Sequence, residues 1–148
     1  MEIKLIEDRT STLEVQIRYP SMSLQVQQLI RRIQSVDLKI VGNEEGRDTI
    51  LNAFDVFYIE SIDRKTFLYT KDQVYRTSKK LYQYIEELNG AGFIQISKSC
   101  LLNMEVLDSV RTLFNSRLEA TLTNGEKVII TRTYIPAVKE WLDGEAEQ

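Results

Sequence analysis

The 148-residue chain contains no histidine. That absence removes every mechanism in which an imidazole acts as general base or nucleophile activator, and with it the ordinary Cys/His zinc sites. Its one cysteine, Cys100, stands against Leu101 and Leu102. A small buried hydrophobe is the better reading there than a reactive thiol, which would lack its usual imidazole partner. No apolar run approaches the roughly 20 residues of a membrane helix. The opening residues, MEIKLIEDRT, place acids close to Met1 beside a very short apolar run, unlike a secretory leader. A lone cysteine and no export signal make the cytoplasm the expected compartment. Gly-rich phosphate loops, nucleophile elbows and metal-ligand spacings are also missing. The acids of NEEG (43–46) and EEL (86–88) have no partner to tune them. No enzymatic activity, cofactor or metal site is therefore expected.

What is present suits one compact domain with at most a small extension. A chain of this size buries roughly 68–70% of its unfolded surface and needs no disulfide or metal to fold. Net charge is −3, which does not advertise a polyanionic partner. The charge is uneven, however. Between Glu60 and Lys139, 12 basic residues stand against 9 acidic ones, and the tail DGEAEQ is acidic. That distribution permits nucleic-acid binding without requiring it.

Periodicity gives the coarse organisation. LEVQIRY alternates Leu13, Val15, Ile17 and Tyr19 with Glu14, Gln16 and Arg18, the period of a half-buried strand. IKLI (3–6) is a shorter strand candidate. Val26, Leu29, Ile30 and Ile33 fall on one helical stripe, with Ser21 or Ser23 as the cap. DLKIV (37–41) reads as a strand. Residues 1–46 thus form an expected β-β-α-β extension that packs on the remainder or builds a dimer, with 47–148 as the main domain. GNEEG (42–46) is either the boundary or a hairpin turn continuing one sheet. Beyond it, TILNA, FDVFYIE, TFLYT, QVYRT, FIQIS, SVRTLF, RLEATL and KVIIT are rich in β-branched and aromatic residues. A helix is expected from Ser78 with a Leu81, Tyr84, Ile85 and Leu88 stripe. Another is expected after Thr133, with Ile135, Val138 and Leu142 inward.

Three turns combine cations with hydroxyls: Arg64, Lys65 and Thr66; Ser97, Lys98 and Ser99; Arg132 between Thr131 and Thr133. Each alone reads most simply as a solvated turn. Together, in a β-rich domain, they suit a loop-based reader of DNA. Hydroxyls and Lys98 would meet phosphates, and the planar fork of Arg132 suits a bidentate contact with guanine or phosphate.

The segments FDVFYIES, LYTKDQVYRTSKKLYQYIEEL, FIQISKSCLLNMEVLDSV and LEATLTNGEKVIITRTYIPAVKEWL resemble the LytTR family of bacterial DNA-binding domains. The specific marks are Phe93, Ile96, Ser99 and Asn103, then Asn124-Gly125, then Arg132 with Tyr134. The resemblance covers roughly Arg47 to Leu142. It implies a mainly β (α+β) fold of short antiparallel sheets laid side by side with few helices. It also implies a transcription regulator reading the major groove of double-stranded DNA through loops, as a homodimer. By the same resemblance the DNA contacts are Arg64, Lys65, Thr66, Ser97, Lys98, Ser99 and Arg132. Relatives often carry arginine at the position of Gln95 and histidine at that of Ser97, so two cationic contacts are absent here. Residues 1–46 are too short for a phosphate-accepting receiver. The chain therefore resembles the stand-alone class, in which a small membrane protein is a frequent regulatory partner. The alternative is an interaction or sensory module that kept this fold and lost DNA binding.

Overall fold

Asn43, Asp48 and Gly46 show how the first hairpin closes. A computed structural model describes residues 1–146, and in it Lys39–Glu44 (β1) pairs antiparallel with Arg47–Asn52 (β2) along its whole length. The two turn residues, Glu45 and Gly46, both have positive φ, the geometry that matches the twist of a two-residue hairpin. Asn43 secures it by accepting from the Gly46 N–H and donating to Asp48. The GNEEG segment is thus a turn within one sheet.

The remaining strands are Tyr58–Ile62 (β3), Lys65–Tyr69 (β4), Val74–Thr77 (β5), Phe93–Ser97 (β6), Cys100–Asn103 (β7), Leu107–Thr112 (β8), Leu118–Leu122 (β9) and Lys127–Ile130 (β10). They form a seven-stranded sheet in the order β2-β1-β5-β4-β3-β7-β6 and a three-stranded sheet β10-β9-β8. Every strand pairing among the described residues is antiparallel. Three helices accompany them: Leu24–Ser35 (α1), Leu81–Glu87 (α2) and Ile135–Ala146 (α3). This mainly β arrangement is the one expected.

Alternation along β7 divides the core in two. Leu101 packs on one side with Ile59, Leu68, Leu81, Tyr84 and Leu88. Cys100 and Leu102 pack on the other with Leu118, Leu122, Ile130 and Val138. The large sheet is therefore the middle layer. Helix α2 covers one face, and the small sheet with α3 covers the β3-β7-β6 part of the other. Gly42 permits a close approach inside the first core, because a Cβ there would lie 2.7 Å from the Tyr75 Cβ.

Two expectations fail at the N-terminus. The strands at 3–6 and 13–19 are not formed, and residues 1–23 carry no helix or strand. Alternation alone cannot hold a strand; it needs a neighbour to satisfy its backbone, and among the described residues no strand pairs with either segment. Helix α1 does form, capped by the Ser23 hydroxyl at the Val26 N–H. It is fastened to the body by an ion pair between Arg31 and the nearly buried Glu105. Arg31 also lies 5.5 Å from the Trp141 ring, and Arg32 lies 4.9 Å from the Phe54 ring. Helix α2 begins three residues later than Ser78. Its cap is Lys80, whose N–H donates to the Gln83 side chain.

Asn103 ends β7 with 1% exposure. Its amide donates to the carbonyls of Phe54 and Val56 and accepts from the Glu105 N–H. It thereby locks two 3-10 turns, Ala53–Asp55 and Met104–Val106. Leucine at this position would orphan buried backbone groups, each worth about 1–3 kcal/mol. Asn103→Leu should therefore cost about 2–4 kcal/mol in urea unfolding; an unchanged midpoint would show that water replaces the amide.

Tyr58 and Tyr69 stack with centroids 4.2 Å apart. Burial and the nearby Glu60 push the Tyr69 phenol up to about 12. Burial and Glu126 push Tyr58 in the same direction. A phenol raised in the folded state stabilises below the ordinary tyrosine value of about 10 and loses that contribution as pH rises towards the folded value. Phenolate absorbance in an alkaline titration should show these two ionising late, with stability falling between about pH 10 and 12. Simultaneous ionisation of all tyrosines near the ordinary value would contradict the packing described.

Candidate nucleic-acid interface

The β3–β4 connection is a two-residue turn closed by Ile62 opposite Lys65. Its turn residues, Asp63 and Arg64, both have positive φ, 51° and 66°. Asp tolerates that region; arginine does so at a cost of about 1 kcal/mol or more. The strained turn is buttressed from outside, because the Lys80 Nζ donates to the Arg64 carbonyl at 3.2 Å. Arg64 and Lys65 are exposed. Thr66 is not: it is 2% exposed. Its hydroxyl therefore stands under the sheet rather than among the presented groups, because the strand period turns alternate residues inward.

The SKS stretch is also a tight turn. Ser97 accepts from the Ser99 N–H at 3.2 Å, and the two hydroxyls are 3.4 Å apart. The serines thus stiffen the turn, and Lys98 between them is exposed. Just before it, the register slips: Gln95 faces Leu101, then Ser97 faces Cys100. The extra residue is Ile96, in a β-bulge, a device that bends a strand and re-aims the side chains beyond it.

The third segment is tied to that bulge. Thr131 donates to the Ile96 carbonyl through both its N–H, at 2.9 Å, and its hydroxyl, at 3.3 Å. Arg132 follows at once, exposed, as the first residue of a 3-10 turn, Arg132–Tyr134, that leads into α3. The first two turns are joined as well, because the Ser61 N–H donates to the Ser99 carbonyl at 2.8 Å. Residues 61–65, 97–99 and 131–132 therefore occupy one end of the fold.

Between the first two turns lies a shallow groove of about 680 Å³ whose lining includes Arg64, Lys80, Gln95, Lys98 and Ser99. Lys80 was not among the sequence candidates, because the preceding Ser78 resembled a helix cap. A second groove, of about 610 Å³, includes Lys39, Arg76 and Lys79 in its lining, together with Asp48. Lys79 is bonded to Glu87 at 2.8 Å, and that bond holds its ammonium above the usual lysine value. Arg76 lies over Phe67 at 5.6 Å. Spacing could not reveal these cations; they converge only when β1, β5 and the start of α2 meet.

Cys100 lies directly behind the SKS turn. Burial pushes its thiol well above the ordinary range, and Glu60 adds to that, so it is an inert part of the core. Among the described residues no three His, Cys, Asp or Glu side chains converge as a metal site, and no helix is long and apolar enough to cross a membrane.

Comparison with known proteins gives the chain its family. The LytTr DNA-binding domain family matches residues 46–143. A sensory transduction protein LytT of Enterococcus faecalis is 29% identical over 98 residues, which is 66% of this chain and 40% of that protein. The chain thus spans about two fifths of the length of such relatives. A Staphylococcus aureus protein described as an uncharacterized HTH-type transcriptional regulator is 25% identical over 86% of this chain and 88% of its own length. Among the described residues no two α-helices follow one another across a short turn, so that motif is not formed here. A solved LytTr DNA-binding domain from Bacillus cereus superposes with a TM-score of 0.66, covering 70% of this chain and 95% of its own, at 18% identity. With the family's pattern spanning both sheets and α3, this chain belongs to the LytTR family of DNA-binding domains.

Proposed function

We propose that the chain is a sequence-specific transcription regulator that lays its cationic end along double-stranded DNA and reads the major groove with loops. The observation that carries this reading is the pair of backbone ties, Ser61 to Ser99 and Thr131 to Ile96. They hold the segments bearing Arg64, Lys98 and Arg132 at one end of a stiff sheet. A rigid presentation matters because each loop then loses little freedom on binding.

The cations divide by chemistry. Arg132 has the planar fork that suits a guanine edge. Lys98 projects from a turn that its serines pre-shape. Arg64, Lys65 and Lys80 are better suited to phosphates, which set affinity and its salt dependence. Thr66 drops out of the contact set because it is buried. Ser97 acts chiefly on the turn. With net charge −3 overall, attraction depends on this local cluster rather than on the molecule's total charge.

Binding measured on a duplex selected from a random pool, and on a scrambled duplex, tests the division. Arg132→Ala should lose roughly 1–3 kcal/mol on the selected duplex and far less on the scrambled one. Equal losses would make Arg132 a phosphate clamp, and no loss would remove it from the interface. Lys98→Ala should cost affinity with a smaller loss of discrimination.

Lys80→Ala should weaken both duplexes alike and flatten the dependence of log K on log salt by about one phosphate contact. Thr66→Val should leave affinity unchanged; a loss without a change in folding would return Thr66 to the interface.

A further inference from the structure

Residues 13–19 have the alternation of a strand but, among the described residues, pair with none, and of the four apolar residues Ile17 is half-buried. Leu13 is 98% exposed, and Val15 and Tyr19 are also in water. A lone strand of this length does not persist in water, so the pattern implies a sheet edge that a single chain leaves free.

The two sheets have four outer strands: β2, β6, β8 and β10. Thr131 is bonded to β6, which brings β10 against it. On β8, Asp108, Ser109, Arg111 and Thr112 are exposed, and such polar edges discourage pairing. Strand β2 differs. Ile50 is 72% exposed and faces Val41, itself 52% exposed, across the β1–β2 ladder. The small sheet does not cover this part of the large one, and the apolar pair lies open.

We infer that residues 13–19 become a strand in a homodimer, by adding to the outer edge of β2 of a second copy. The row Leu13, Val15, Ile17 and Tyr19 then extends the Val41–Ile50 row, as cross-strand apolar pairs do. The arm's own β2 is poorly placed. The Leu38 carbonyl accepts from the Ala53 N–H, which puts the C-terminal end of α1 beside the end of β2. The arm leaves from the other end of α1, about 18 Å away along a 12-residue helix. The five steps from Tyr19 to Leu24 reach at most about 18 Å even when fully extended, which leaves no slack for the arm to turn back along its own β2. A partner's edge is free of that restriction, and reciprocal exchange gives a closed two-fold pair.

Sedimentation equilibrium of the full chain, without DNA, tests this independently of the DNA-reading proposal. The unaltered chain should be a dimer. An arm variant, Leu13→Asn with Val15→Asn, and an edge variant, Ile50→Lys, should each raise the dimer Kd on the order of tenfold or more. All three replaced side chains are more than half exposed, so the folded circular dichroism spectrum should persist. A monomeric unaltered chain, or a dimer indifferent to both variants, would overturn the inference. Sensitivity to the arm variant alone would place the arm elsewhere, and sensitivity to the edge variant alone would mean β2 pairs with something else; either also overturns it.

Discussion

The Ile96 carbonyl accepts two hydrogen bonds from Thr131, and the arrangement of the cationic end depends on that junction. Strand β6 is an outer strand of the large sheet and β10 an outer strand of the small one. Without a tie between them, the Arg132 segment would belong to a separate layer. The bulge at Ile96 and the bonds from Thr131 lock the two layers at the point where the SKS turn begins. The Ser61 to Ser99 bond does the same between β3 and the β6–β7 hairpin. Three loops distant in sequence become neighbours mainly through backbone groups, with the Thr131 hydroxyl as the one side-chain tie.

That explains what the sequence could and could not disclose. Strand existence from β2 onward was legible, because alternation and β-branched residues report burial on a pleated surface. Tight turns were legible where Asn-Gly or Gly marked them. The Asp63-Arg64 turn was legible as a basic connection but not as a strained one, since no glycine betrays its positive φ. Alternation at 13–19 was just as regular as elsewhere and misled. It reports the need for a neighbour, not the neighbour's presence in the same chain.

The candidate site was legible in part for the same reason. Arg64, Lys65, Lys98 and Arg132 are exposed as their turn positions implied. Thr66 comes after Lys65 and so turns inward by the strand phase, a burial that its place in a basic turn does not disclose. Ser97 and Ser99 looked like ligand donors, yet they also bond within their own turn. Lys80 escaped notice because its role arises from α2 docking beside the β3–β4 turn. Lys39 and Arg76 escaped for a similar reason, since β1 lies before the family's matched segment and joins β5 only in the folded sheet.

The resulting picture is a stiff double sheet whose interior is divided by β7 and which presents Arg64, Lys80, Lys98 and Arg132 at one end. Amide chemical-shift mapping on adding a duplex selected from a random pool tests that picture most directly. The account predicts that the largest shifts fall together on Arg64, Lys80, Lys98, Ser99 and Arg132. Shifts concentrated at the opposite end, around Thr70–Gln73 and Asn124–Gly125, would contradict it, as would the absence of binding to any duplex at low salt.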